Sequence, residues 1–164
     1  MTNQIAFSSL EEMKQLTSSH FADSELENAI VHFLKSSGEE SSQLCIEFLL
    51  THESAKIRAL GLRVVQRAVR NSSLLERVIQ LSFEVGRLSE LQHWYSAILA
   101  RYSLSLFGER LCIEIFRRGD ADFGARNVRA LEMHRMSDID QKKLVIERVR
   151  KCVAEAGISQ PGSS

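Results

Sequence analysis

One proline, Pro161, and eight glycines are spread over 164 residues, so turn-forming residues are scarce. A strand-rich sandwich needs a turn signal roughly every eight to twelve residues, and collagen-like or low-complexity chains need far more of both residue types, so neither class fits. Cysteine is also scarce. Cys45, Cys112 and Cys152 are odd in number, lack C-x-x-C spacing and lie in apolar runs such as Leu44-Cys45-Ile46 and Leu111-Cys112-Ile113. They read as reduced, small core residues with no thiol chemistry. No sign of charge dominates, with 21 Lys plus Arg against 21 Asp plus Glu, so the whole-chain field gives no general pull toward nucleic acid or anionic membrane. No apolar run approaches the ~18 residues a membrane span requires. The segment Met1-Thr2-Asn3-Gln4-Ile5-Ala6 carries neither a basic leader nor a hydrophobic stretch. The expected location is cytoplasmic.

Recognisable catalytic and cofactor motifs are missing too. His20, His32, His52, His93 and His134 form no i, i+4 pair and no Cys/His cluster, which leaves no zinc spacing. There is no G-x-S-x-G elbow, no G-x-x-x-x-G-K-[ST] loop and no G-x-G-x-x-G turn. Carboxylate pairs such as Glu11-Glu12 and Glu39-Glu40 sit where helices start, and the positive dipole end accounts for them. The expectation is a chain with no catalytic residue, no metal and no cofactor.

What is present is helix. An apolar content of 44% supports one continuous core in a single domain over residues 1–157, followed by a flexible tail over 158–164. Helix starts are marked by Ser9 ahead of Glu12, Asp23 or Ser24 ahead of Glu27, Ser73 ahead of Glu76, and Ser137-Asp138 ahead of Asp140. Stops are marked by Ser36-Ser37-Gly38, Asn71-Ser72-Ser73, Arg117-Arg118-Gly119 and Ala156-Gly157. Between them the apolar spacing is helical, as in Leu91, Trp94, Tyr95, Ile98, Leu99 and Tyr102. Trp94 and Tyr95 fall on the core face, with His93 opposite. About nine helices and no strand are predicted.

The chain is also self-similar. Leu44-Cys45-Ile46-Glu47 recurs as Leu111-Cys112-Ile113-Glu114, and Arg58 recurs as Arg126 at a spacing only one longer. A degenerate copy, Val78-Ile79-Gln80-Leu81 leading to Gln92, falls halfway between them. The elementary period is therefore roughly 34 residues, the length of a helix pair. The stretch 44–50, followed by His52-Glu53-Ser54-Ala55-Lys56-Ile57-Arg58-Ala59-Leu60-Gly61-Leu62, resembles a HEAT repeat. Its elements are an apolar first helix, an acidic turn, and a second helix opening on hydrophobic-Arg-Ala. Asp120 to Arg126 with Ala130-Leu131 resembles it again, with one residue inserted and Asn127 where alanine is expected. The resemblance implies an all-α fold, a right-handed α-α superhelix. Its units would lie near 9–36, 42–70, 74–103 and 109–135, with a capping helix over 137–156. It also implies that Arg58 and Arg126 are structural and pair with a turn acid, Glu53 or Asp120.

At 100° per residue over 57–70, Ile57, Leu60, Leu62, Val64, Val65, Ala68 and Val69 occupy a broad inward arc that includes Arg58, while Arg63, Arg67 and Arg70 lie opposite. Charge is asymmetric along the chain, −6 through residue 56 and +6 beyond it. The basic set on the presumed second helices, Arg63, Arg67, Arg70, Arg101, Arg129 and Arg135, is all arginine, whose guanidinium suits bidentate recognition of carboxylate or phosphate. Arg63, Arg67, Arg70, Arg101 and Arg129 are therefore the candidate partner-binding residues. They would sit on a concave face for an acidic partner protein, in an adaptor, chaperone-like or immunity-type module. The alternative is nucleic-acid binding, by resemblance to the HEAT-like DNA-alkylation-repair glycosylases. Head-to-tail self-association is a third reading, from the charge asymmetry.

Overall fold

The computed structural model describes residues 5–19 and 23–159. Among these the chain is all-helical, with nine helices and no strand: α1 (Leu10–Ser19), α2 (Ser24–Ser36), α3 (Glu39–Leu50), α4 (Ala55–Ala68), α5 (Ser72–Ser82), α6 (Leu88–Leu99), α7 (Leu104–Arg118), α8 (Ala121–Met133) and α9 (Ile139–Ser159). His20 and residues 160–164 lie outside the described residues, while Ile158 and Ser159, placed in the tail by the sequence, belong to α9.

The starts follow capping chemistry. Asp23 accepts from the Leu26 amide at 3.0 Å, Ser103 from the Leu106 amide at 3.4 Å, and Asp120 from the Asp122 and Phe123 amides at 2.9 and 3.2 Å. The cap of α5 is Asn71, which accepts from the Ser73 amide at 2.8 Å, so this start lies two residues before the predicted Ser73. Helix α7 ends on Gly119 at φ 60°, ψ 28°, a left-handed conformation that glycine adopts without Cβ strain.

The chain divides into two compact units, Met1–Glu84 and Val85–Ser164. In the first, α3 packs against α1, α4 and α5, and α2 packs on α4. Leu26, Ile30, Ile46, Leu49, Leu60, Val64, Val65, Val78 and Ile79 are fully buried there. Gly61 brings α4 close to α3, since a Cβ at this position would stand 2.9 Å from Leu49 Cβ. Lys14 of α1 lies 5.7 Å over the Phe48 ring of α3. The arc predicted for α4 is buried through Ile57, Leu60, Leu62, Val64 and Val65, but the helix stops at Ala68, two residues short of Arg70.

In the second unit α9 packs against α7 and α8, and α6 packs on α8. Two glycines seat α9: a Cβ on Gly108 would meet Val145 Cγ1 at 2.8 Å, and one on Gly124 would meet Val153 Cγ2 at 2.7 Å. Trp94, Tyr95, Phe107 and Phe123 are buried, with the Tyr95 and Phe107 rings edge to face at 4.9 Å. His93 is exposed, as its helical phase predicts. The buried Tyr95 hydroxyl donates to Asn127 Oδ1 at 2.5 Å, and Asn127 Nδ2 donates to the Phe123 carbonyl at 2.9 Å. Burial pushes the Tyr95 phenol well above its ordinary value.

Two sequence readings need correction. Cys112 of α7 and Cys152 of α9 are not a reduced pair: they form a disulfide, with Cα atoms 5.7 Å apart and a sequence separation of 40. Only Cys45 is a free buried cysteine, and burial pushes its thiol to about 12. The repeated Leu-Cys-Ile-Glu tetrapeptide also does not mark equivalent faces. Leu44 is 44% exposed and Leu111 is buried, whereas Ile46 is buried and Ile113 is 64% exposed. Leu44 is the sixth residue of α3 and Leu111 the eighth of α7. Two residues at about 100° each turn the second copy to nearly the opposite side of its helix.

Candidate functional site

Arg63 and Arg67 stand one turn apart on the outer face of α4, with side chains 46% and 45% exposed. Both are held by one carboxylate from α2. Arg63 Nε donates to Glu27 Oε2 at 2.9 Å, and Arg67 Nη1 donates to Glu27 Oε1 at 3.0 Å. Glu27 itself is only 13% exposed. Its partial burial works to raise the carboxyl pKa, but the hydrogen bonds and charges of Arg63 and Arg67 outweigh it, so Glu27 lies below its ordinary value. One anion thus fixes two cations and neutralises half their charge. Each guanidinium gives a single N–H to Glu27, and its other N–H groups meet no acid among the described residues. Arg70 is exposed and lies past the end of α4, so it extends this patch from the turn rather than along the helix.

The other two candidates belong to the second unit. Arg129 lies on α8 and pairs with Glu132 at 3.5 Å, 63% exposed. Arg101 lies in the turn between α6 and α7 and not on a helix. Much of this unit's positive charge is answered locally. Arg117 and Arg118 both grip Glu114, which they hold at about 2 against its partial burial. Arg148 reaches Glu109 at 3.5 Å, and Arg150 pairs with Glu132.

The two arginines read as structural differ from each other. Arg58 is half-buried and donates from Nη1 to the carbonyls of His52 and Glu53 at 2.7 and 2.9 Å, closing the α3–α4 turn through backbone oxygens. Arg126 is also half-buried, but its buried Nε has no hydrogen-bond partner, and Asp120 is engaged as the cap of α8.

Glu27 is the residue that sequence reasoning misses, because its local context makes it simply an acid at a helix start. The available signal is the helix-pair period. One period upstream of Arg63 falls on α2, where Glu25 and Glu27 are the acids in the first turn. Among the described residues no group of three or more His, Cys, Asp or Glu could hold a metal ion, and no helix is long and apolar enough to cross a membrane. No protein-family model, no curated protein and no solved structure matches this chain.

Proposed function

We propose that this chain is a non-catalytic protein-interaction module that binds an acidic segment of a partner protein through the arginines of α4. The observation that carries the reading is the Glu27 clamp. It orders Arg63 and Arg67 before any partner arrives while leaving both guanidinium groups half exposed and under-neutralised. Ordering two long side chains in advance lowers the entropy cost of docking, and guanidinium suits bidentate carboxylate binding. Arg70 lengthens the patch, and Arg101 and Arg129 would contribute a second basic segment. The packing of alternate helices in the first unit, α1 with α3, α3 with α5 and α2 with α4, is consistent with a short HEAT-like solenoid as the frame, and the proposal takes that solenoid to be right-handed. Adaptor, chaperone-like and toxin-neutralising immunity proteins all use frames of this kind. A cytoplasmic setting is part of the proposal. Glutathione there keeps most thiols reduced, so the Cys112–Cys152 bond counts against this setting, and thiol trapping in intact cells is the test: both cysteines reduced would keep it, and a retained bond would replace it with an oxidising compartment.

The test of function is affinity capture from host lysate at low and high salt, with and without nuclease, comparing the wild-type chain with Arg67→Glu/Arg70→Glu. The expected result is a protein partner that survives nuclease, is released by salt and is lost in the double variant. Retention by the double variant would remove α4 as the docking face. Recovery that vanishes with nuclease would replace this reading with nucleic-acid binding, for which a steep salt dependence on duplex DNA is the further signature.

A further inference from the structure

The second unit holds a cavity of about 650 Å³ that the arginine patch does not use. It lies between the C-terminal end of α6, the start of α7 and the α8–α9 connection, and its size falls in the usual range for small-molecule sites. Leu99, Leu104 and Met136 supply apolar wall, and Ser103 and Ser137 bring hydroxyls. Arg135 is the cationic residue of the lining, and no carboxylate lines the cavity. Arg117, Arg118, Arg129, Arg148 and Arg150 in the same unit all have an acidic partner. Arg135 is exposed and has no ion pair among the described residues.

The segment that carries Arg135 is tied down on both sides. The His134 amide donates to the carbonyls of Ala130 and Leu131 at 3.1 and 3.2 Å. Lys142 Nζ reaches back from α9 to the carbonyls of Glu132 and His134 at 2.6 and 2.7 Å. Asp138 accepts from the Gln141 amide at 2.9 Å. Lys142 Nζ thus meets carbonyl oxygens, while the acids of the same segment, Asp138 and Asp140, lie outside the lining. Burial, and then the Lys142 charge, hold the His134 imidazole below its ordinary pKa, which favours its neutral form. An exposed guanidinium without an ion pair, carried on a tied backbone at the edge of a half-apolar cavity, can take an anionic group.

We infer that this cavity is a binding site for a small organic anion, in which Arg135 takes a carboxylate or phosphate group and Leu99, Leu104 and Met136 take the apolar remainder. The probes are phenyl phosphate, benzoate, inorganic phosphate and benzyl alcohol, each titrated into the ¹⁵N-labelled full chain and followed by amide chemical shifts. Phenyl phosphate or benzoate is expected to give saturable shifts confined to residues 96–104 and 134–141. Benzyl alcohol, which lacks the charge, gives none. Arg135→Gln, a substitution at an exposed side chain, is expected to weaken phenyl phosphate binding at least tenfold, and Arg148→Gln to leave it within twofold. Saturable shifts elsewhere in the chain, no saturation with either ringed anion, or Arg135→Gln binding within twofold of wild type would overturn the site. Inorganic phosphate binding as tightly as phenyl phosphate would overturn the apolar seat.

Discussion

Asn127 shows how much can depend on one side chain. In the second HEAT-like stretch it occupies a position where alanine is expected, and in the structure it accepts the hydroxyl proton of a Tyr95 with no exposure of its own. An alanine there would leave that hydroxyl buried without an acceptor. Asn127→Ala is therefore expected to lower the unfolding free energy by about 1–3 kcal/mol in chemical denaturation. The double change Tyr95→Phe/Asn127→Leu, which removes both polar groups, should recover most of that loss. A single substitution that costs nothing would mean the pair does not hold α6 to α8. The departure from pattern was legible in the sequence, but its reason was not, because Tyr95 lies 32 residues away on another helix. Glu27 was hidden in the same way. Its role depends on two arginines 36 and 40 residues downstream, while its local context explains it fully as a first-turn acid.

Along individual helices the sequence was a good guide, because their limits are set by nearest-neighbour chemistry. Asp23 is a start that the sequence marks and it satisfies an amide that would otherwise be orphaned; Ser103 and Asp120 do the same for α7 and α8, but no acid three residues on marks them. Which face a helix buries depends instead on distant contacts, and there the tetrapeptide repeat misled: identical residues at a different depth in α3 and α7 turn opposite ways. Close helix approach is likewise set by what stands across the gap. Gly124 faces the branched Val153 at a distance no Cβ tolerates, whereas a Cβ on Gly157 would meet nothing within 4 Å. Both lie in helices, where alanine is intrinsically favoured by up to about 1 kcal/mol. Thermal unfolding should separate them. Gly157→Ala is expected to stabilise by about 0.5–1 kcal/mol, and Gly124→Ala to destabilise by about 1–2 kcal/mol as the overpacking outweighs propensity. Stabilisation at both positions would show that α9 can shift off α8 without penalty.

For the molecule as a whole, composition pointed correctly to helix without strand among the described residues, and for a simple reason: one proline and few glycines leave too little turn chemistry for a strand-rich sandwich. Composition was silent on the covalent link. Cys112 and Cys152 sit on helices joined through an intervening one, and no spacing rule relates them. Closing a loop of this length stabilises by roughly 4 kcal/mol in the chain-entropy account. A reductant should therefore lower the unfolding temperature of the wild-type chain but leave Cys112→Ser/Cys152→Ser unmoved, and peptide mapping without reduction should recover the two cysteines in one linked fragment. Equal unfolding temperatures for the two chains would remove the bond as a stabilising element. The same bond makes a ring with α8 strung entirely inside it. A protease that cuts the α8–α9 connection once would leave both pieces attached. Pulled from its two ends, the chain would also withhold about 13 nm of its length until a thiol opened the ring, because a sequence separation of 40, at roughly 3.4 Å for each step, lies behind the bond.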